Sequence, residues 1–313
     1  FEKAIRDVSD DFRTNGKPLL ACFLGQRGLN TNLGPRGKSV PSYPFPEEAI
    51  VALSRAVEYS EIQRRPAGVI PKINGIEQKT AHDMVDQILS RAAQKPVWLE
   101  PKQISDLLAC YGIRFVNTIT ANSAAQAAEA AETIGFPVVL KLDSATITHK
   151  SDVGGVKIDL NSTDEVKNAF TAIKASLEKL GRAGEMRGVI VQKMVKEGIE
   201  SIVGMTQDPY FGPVMMFGSG GVYAELLEDV TFKLHPLTDV DAKEMIGSLK
   251  LSKLFQGFRG APQADTASVQ DLLLRLSALV EDLPQVHELD FNPVKVLPNG
   301  QGYYVVDARI SLK

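Results

Sequence analysis

Apolar positions along the chain keep switching between two periods. Phe1, Ile5, Val8 and Phe12 recur at spacings of four, three and four, one face of a helix that Gly16 ends. KPLLACFLG, 17–25, is a continuous apolar run, as expected of a strand buried in a parallel sheet. A loop rich in Gly, Pro, Asn and Ser is expected over 26–45. A helix then starts at Pro46 with Glu47 and Glu48 at the positive end of its dipole, and Ile50, Leu53, Ala56 and Val57 as its inward face. The spacing predicts a further helix over 79–92 with Met84, Ile88 and Leu89 inward. Trp98, in QKPVWLEP, is expected to pack this connection onto a domain.

From Pro101 helix and strand patterns alternate. EPKQISDLLACYGI reads as a helix ending at Gly112, RFVNTIT as a strand, and SAAQAAEAAETIG as a helix capped by Asn122 or Ser123 and stopped by Gly135. FPVVLKL is a strand. NSTDEVKNAFTAIKASLEKLG carries a capping box, Ser162 to Glu165, and ends at Gly181. GVIVQKM, GIESIVGMT and VMMFGS are strands, helices follow near 239–249 and 267–282, and HELDFNPVKVL and YYVVDARI close the chain as strands. This divides it into residues 1–70, a βα-type segment too short for a complete doubly wound domain, a connection over 71–100, and an α/β domain over 101–313. Because residue 1 is Phe and no leader-like segment precedes the first helix, a piece of a longer polypeptide is expected.

Composition narrows the class. The chain has 313 residues, 44% hydrophobic and 23% charged, with a net charge of 35 − 38 = −3. That balance argues against a broad nucleic-acid or anionic-membrane surface, and no apolar run approaches the ~18 residues of a membrane span. Two cysteines without CxxC spacing, Cys22 and Cys110, fit a reducing, cytoplasmic setting; Cys110, beside Leu107 and Leu108, is expected to be a buried thiol.

Four stretches carry candidate chemistry. THKSDVGGVKIDL, 148–160, reads as a polar loop with two glycines between strands. With Lys141, Lys150 and Lys157 around it, it can cover polyphosphate, or it is a hairpin with exposed charges. His149, in that loop, can be a nucleophile for a phosphoryl group, a base, or a passive donor. In HELDFNPV, strand alternation puts Glu288, Asp290 and Asn292 on one face and Leu289 and Phe291 on the other. Such a face suits a hard cation such as Mg²⁺, or is a solvated face on an edge strand. His287 lies off it and, like His82 and His235, is read as structural. FGSGGVYAELLEDV, 217–230, allows close backbone approach at Gly218, Gly220 and Gly221 and places Glu225 and Asp229 four apart; the alternative is a turn with an acidic surface. VQKMVKEGIES, 191–201, joins two strands and could offer backbone groups to an adenine and Glu200 to a ribose, or be only a loop.

Taken together, PVVLKLDSATITHKSDVGGV, FGPVMMFGSGGVYAELLEDV, GFRG (257–260), ELDFNPV and VDARI resemble the ATP-grasp part of the ADP-forming acyl-CoA synthetases, over about 95–313. SYPFPEEAIVALSRAVEYSEIQRRP resembles the end of the flavodoxin-like CoA-ligase domain that precedes this module in fused members. The resemblance implies an ATP-grasp fold of two α/β subdomains holding ATP or ADP with Mg²⁺. Lys141 would touch the phosphates under a flap of Ser151, Asp152, Gly154, Gly155 and Val156, with Gly220 and Gly221 close by. Gln192, Lys193 and Met194 would face adenine, and Glu200 the ribose. Asp290 and Asn292, aided by Glu225 or Glu288, would bind the metal. His149 matches the histidine of the family's phosphoryl relay. The implied reaction is acyl-CoA + ADP + phosphate ⇌ carboxylate + CoA + ATP. It needs CoA-binding and phosphohistidine-bearing domains, from the same polypeptide or a partner subunit, in an expected oligomer. The family's usual arginine is replaced by Lys233 in TFKLHPL, which keeps the charge without a bidentate fork. The resemblance also extends to the synthetase-like part of some protein acetyltransferases, so a sensory module without turnover is the alternative.

Overall fold

The structure is a computed structural model that describes residues 2–23, 32–33, 39–147, 149–221 and 228–313. Its chain divides into two compact units, residues 1–67 and 68–313. In the first, α1 (Glu2–Thr14) precedes a small sheet in the order β1 (Ala21–Cys22), β3 (Val40–Tyr43), β2 (Asn32–Leu33), with β1 and β3 parallel, and α2 spans Pro46–Arg64. The expected loop over 26–45 therefore contains two strands, β2 and β3; in β3 Val40 and Ser42 alternate inward although Pro41 lies between them. The expected face of α2 is not covered within this unit. Ile50 and Val57 are exposed, and only Ala49 of this helix is buried.

The second unit has two lobes. In the small lobe an antiparallel sheet in the order β5 (Thr118–Ala121), β8 (Gly188–Lys193), β6 (Val138–Asp143), β7 (Val156–Leu160) is covered by α5 (Ala124–Ile134) and α6 (Thr163–Lys179). Their Ala127, Ala131, Val166, Ile173 and Leu177 bury against Val138, Leu140 and Leu142. Ser123 caps α5 by accepting from the Gln126 amide, and Ser162 caps α6 by accepting from the Glu165 amide. The Glu165 carboxylate returns to the Asn161 amide rather than to Ser162, so the expected capping box closes one residue early.

In the large lobe a sheet runs in the order β11 (Val230–Leu234), β10 (Gly212–Ser219), β9 (Ile199–Asp208), β12 (Val286–Val296), β14 (Ala308–Leu312), β4 (Val97–Trp98), with β13 (Tyr303–Val305) on β12. α3 (Gln78–Arg91), α4 (Pro101–Cys110), α7 (Asp239–Gly247), the single turn α8 (Ser252–Phe255) and α9 (Thr266–Asp282) go with it. Phe217, Met205, Leu289 and Phe291 from the strands meet Leu107, Met245, Leu272 and Leu276 from the helices in one core. α3 contributes Ala81 and Val85 to that core, with Met84, Ile88 and Leu89 packed against it. Cys110 is buried and free, as its position on α4 predicts. β12 lies between β9 and β14, which removes the edge-strand reading of HELDFNPV. Among the described residues no helix is long and apolar enough to cross a membrane.

Candidate active site

A cleft of about 840 Å³ opens between the lobes. The small lobe supplies Lys141 from β6, the loop residues His149, Lys150, Ser151 and Asp152, Val156 at the start of β7, and Gln192 from β8. The large lobe supplies Asn292 from β12 and, just before and within β14, Asp307, Ala308 and Arg309. Seven of the predicted site residues thus meet in one place although up to 151 positions separate them.

Local geometry explains how the sequence builds this. β6 alternates buried and half-buried residues, so Leu140 and Leu142 enter the core and Lys141 turns to the cleft. There its Nζ lies 3.2 Å from Asp307 Oδ2, an ion pair from one lobe to the other. The flap returns tightly onto β6. The Gly155 amide donates to the Lys150 carbonyl (2.8 Å), and the Leu142 amide donates to the Gly155 carbonyl (2.7 Å). A Cβ at Gly155 would stand 2.8 Å from that Lys150 oxygen and 2.9 Å from Leu142 Cβ, so only glycine lets the backbones approach. Gly154 takes φ +67°, the left-handed region that favours glycine. His149 is exposed at the cleft wall. Burial pushes the Lys150 ammonium below its usual range. Asp307 and Asp143 act against this, and the neighbouring charges of Lys141 and Arg309 act with it. Cations crowded into a half-buried cleft are arranged to receive an anion.

Strand alternation on β12 is as expected: Leu289 and Phe291 are buried, Glu288 and Asn292 exposed, Asp290 half-buried. Asn292 reaches the cleft, whereas Glu288 and Asp290 lie farther along the face and outside its lining. Burial raises the Asp290 carboxyl above the ordinary range. Arg309 opposes this, while Asp307 and Glu288 add to it. Among the described residues no three His, Cys, Asp or Glu side chains group as metal ligands. The oxygen donors present, Asn292 and Asp307, still suit Mg²⁺, which takes one or two protein oxygens and completes its shell with phosphate and water. Asp307 was not among the expected ligands; its signal was VDARI, a short acidic turn distant in sequence.

Other expected residues have different roles. Gln192 is buried and donates to Thr118 Oγ1 and the Val306 carbonyl, both 3.1 Å, while its own Oε1 is a buried acceptor without a partner. Lys193 Nζ binds the carbonyls of Gly135 and Phe136 at 2.9 and 2.7 Å, away from the cleft. The amides of Lys193 and Met194 are engaged by the carbonyls of Asn117 and Pro137, so a donor to adenine from this segment must come from Val195 onward. Glu200 pairs with Lys295 at 2.9 Å. At Gly220 a Cβ would lie 2.6 Å from the Glu200 carbonyl carbon; its glycine is explained by the contact of β10 with β9. Gly221 follows at φ +69°. Glu225 and Thr148 lie outside the described residues.

Asp229 turns inward and is met by hydrogen-bond donors. It is buried and accepts from Ser219 Oγ (2.7 Å) and from the amides of Lys250 (2.7 Å) and Leu251 (3.0 Å). Lys233 pairs with Glu244 (2.9 Å) and Asp241 (3.5 Å) on α7 instead of facing the cleft. Trp98 does not bury as a linker anchor: half exposed, it lines the cleft beside Glu100. Of the structural histidines, His235 sets Nε2 3.0 Å from the Ser277 carbonyl.

A four-stranded lobe and a larger antiparallel lobe closing on lysines, a glycine flap and oxygen ligands define a nucleotide clamp. The family description "ATP-grasp domain" matches residues 90–312. Over all 313 residues the chain is 39% identical to a 4-hydroxybutyrate–CoA ligase (ADP-forming) of Nitrosopumilus maritimus, of which it spans 44%. It is 39% identical over 231 residues to the beta subunit of acetate–CoA ligase (ADP-forming) II of Pyrococcus furiosus, covering 74% of this chain and 97% of that one. In three dimensions it matches an acetyl-coenzyme A synthetase 1 chain of Ca. Korarchaeum cryptofilum, solved with coenzyme A and Ca-AMPCP, at TM-score 0.68 and 39% identity over 73% of this chain and 99% of that one. A second structure of that enzyme, with coenzyme A and Mg-AMPPCP, matches at TM-score 0.64 and 36% identity over 74% and 100%. The chain belongs to the ATP-grasp family of ADP-forming acyl-CoA ligases. It spans less than half the length of the fused relatives it matches. The acetyltransferase-type alternative finds no support among these relatives.

Proposed function

We propose that this chain is the nucleotide-binding and phosphoryl-transfer module of an ADP-forming acyl-CoA synthetase. With CoA-binding and phosphohistidine-bearing domains, from the same polypeptide or a partner subunit, it would serve acyl-CoA + ADP + phosphate ⇌ carboxylate + CoA + ATP. The observation that carries this reading is the convergence of Lys141, Lys150, Arg309, His149, Asn292 and Asp307 on one cleft. The longer 4-hydroxybutyrate–CoA ligase aligns over the whole chain, while the separate beta subunit aligns over 231 residues at nearly its full length. Residues 1–67 are accordingly read as the end of the preceding CoA-ligase domain. The uncovered Ile50, Val51, Val57, Tyr59 and Ile62 of α2 support this, because a finished domain rarely leaves so many large apolar side chains on one helix in water.

In this reading Lys141 and Lys150 take the phosphate oxygens under the flap of Ser151, Asp152, Gly154, Gly155 and Val156. The 192–200 segment, with Glu200, faces the nucleoside. Mg²⁺ arriving with the nucleotide would be held by Asn292 and Asp307, with Asp290 and Glu288 behind, and would neutralise phosphate charge. His149 exchanges the phosphoryl group: its imidazole nitrogen bonds the γ-phosphorus as the bond to the β,γ-bridging oxygen breaks and ADP leaves with that electron pair. The reverse step returns the group to ADP. Catalysis of this kind needs placement and charge more than covalent elaboration. The test supplies the partner domains and Mg-[γ-³²P]ATP and maps acid-labile label on this chain. Label at His149 that His149→Ala removes is expected; label that survives the substitution takes His149 out of the relay.

A further inference from the structure

The turn between α6 and β8, residues 182–187, holds the base of the His149 loop at two points. Arg187 donates from its backbone amide to the Asp143 carbonyl (2.9 Å) and from Nη2 to Asp143 Oδ1 (2.8 Å). Asp143 is the last residue of β6, where the loop carrying His149 departs. Farther along that loop Thr146 donates its hydroxyl to Glu185, and Arg182 grips Glu185 through two bonds of 2.7 and 2.8 Å.

Arg187 also reaches the other lobe. Its Nη1 and Nη2 donate to Glu100 Oε1 (3.0 Å) and Oε2 (3.3 Å). Glu100 caps α4, whose Ile104, Leu107 and Leu108 are set in the large core. One planar guanidinium therefore binds a carboxylate on each lobe, which its fork permits and a lysine ammonium would not. Two carboxylates already satisfy its charge, so it is poorly suited to a phosphate although it lines the cleft.

We infer that Arg187 is a positioning residue for phosphoryl exchange: through Asp143 and Glu100 it fixes the base of the His149 loop relative to the lobe that carries Asn292 and Asp307. The inference rests on the phosphoryl-transfer reading above. Transfer depends steeply on placement, since a misplacement of about 1 Å can cost on the order of 100-fold. Half-exposed ion pairs contribute little to folding, so the effect falls on geometry more than on stability.

The test compares Arg187→Gln, Glu100→Gln, the double variant and Arg187→Lys with wild type, with the CoA-binding and phosphohistidine-bearing domains supplied. It reads the rate of His149-dependent ³²P incorporation, Mg-ADP affinity by calorimetry, and melting temperature. Each glutamine variant is expected to slow incorporation about 10- to 100-fold, with Mg-ADP affinity within about threefold of wild type. The double variant should be little slower than either single one, and Arg187→Lys should recover only part of the rate. Glu100→Gln carries the test if Arg187→Gln does not fold. Variants as fast as wild type overturn the inference, as do losses that multiply in the double variant. So does a loss of Mg-ADP affinity as large as the loss of rate, which would put Arg187 on the nucleotide itself. A wild type that binds Mg-ADP but takes no label at His149 refutes the phosphoryl-transfer reading, and the inference with it; a labelled wild type with an unimpaired Arg187→Gln refutes the inference alone.

Discussion

Removing the Lys141 ammonium separates what the cleft does for the fold from what it does for a nucleotide. In the structure Lys141 Nζ is 3.2 Å from Asp307 Oδ2, with 14% of the lysine side chain and 48% of the aspartate exposed. A pair with one partner half in water stabilises by about 0–1 kcal/mol, because screening and side-chain entropy offset the attraction. Lys141→Ala leaves Asp307 hydrated, so the melting temperature should fall by no more than about 4 °C. A bound phosphate is another matter: a hydrogen bond between charged groups contributes about 1.5–3 kcal/mol. At tenfold per 1.4 kcal/mol, Mg-ADP affinity should fall about 10- to 140-fold. Calorimetry with Mg-ADP and with adenosine, which has no phosphates, isolates the effect; adenosine affinity should stay within about threefold of wild type. Equal losses for both ligands, or an Mg-ADP loss below about threefold, would refute the assignment of Lys141 to the phosphates.

Two further substitutions test the flap and the internal hydrogen bonds of Asp229. Gly155→Ala puts a Cβ 2.8 Å from the Lys150 carbonyl, so the flap must move; a cost of about 1–3 kcal/mol in thermal unfolding and weaker Mg-ADP binding are expected, and unchanged binding would show that the flap does not cover the phosphates. Asp229→Ala takes the acceptor from the part-buried amides of Lys250 and Leu251, at about 1–3 kcal/mol by urea unfolding because water reaches them in part. Burial pulls the Asp229 carboxyl upward, but the Ser219 hydroxyl and the Leu251 and Lys250 amides outweigh it and hold it below the ordinary range. Its contribution is therefore present above the unfolded value of about 3.9 and lost as pH falls through the lower folded value, so the gap between Asp229→Asn and wild type should hold from pH 7 to about 5 and narrow below about 4. A gap that stays constant down to pH 3 would contradict this.

Most helices and strands of the second unit, the shared face of Glu288, Asp290 and Asn292, and the glycine turn after Lys150 were legible from spacing, because period and turn chemistry are local; β4, read as a connection, β11, and the break of YYVVDARI into β13 and β14 were not, because pairing with a neighbouring strand defines them. α2 shows the limit of that reading: its stripe predicts burial, but a stripe says only which residues share a side, not whether anything covers them. Asp229 and Lys233 are charged groups whose partners, Lys250, Leu251 and Glu244, sit 11 to 22 positions away across turns, so only packing could show them as internal contacts. Asp307, Arg187 and Trp98 became site residues when two lobes met. What the linear chain determines by itself is each lobe's strands and helices and the chemistry each presents; which of those groups face one another depends on the angle between the lobes, set by contacts 87 to 166 positions apart that no short-range pattern encodes.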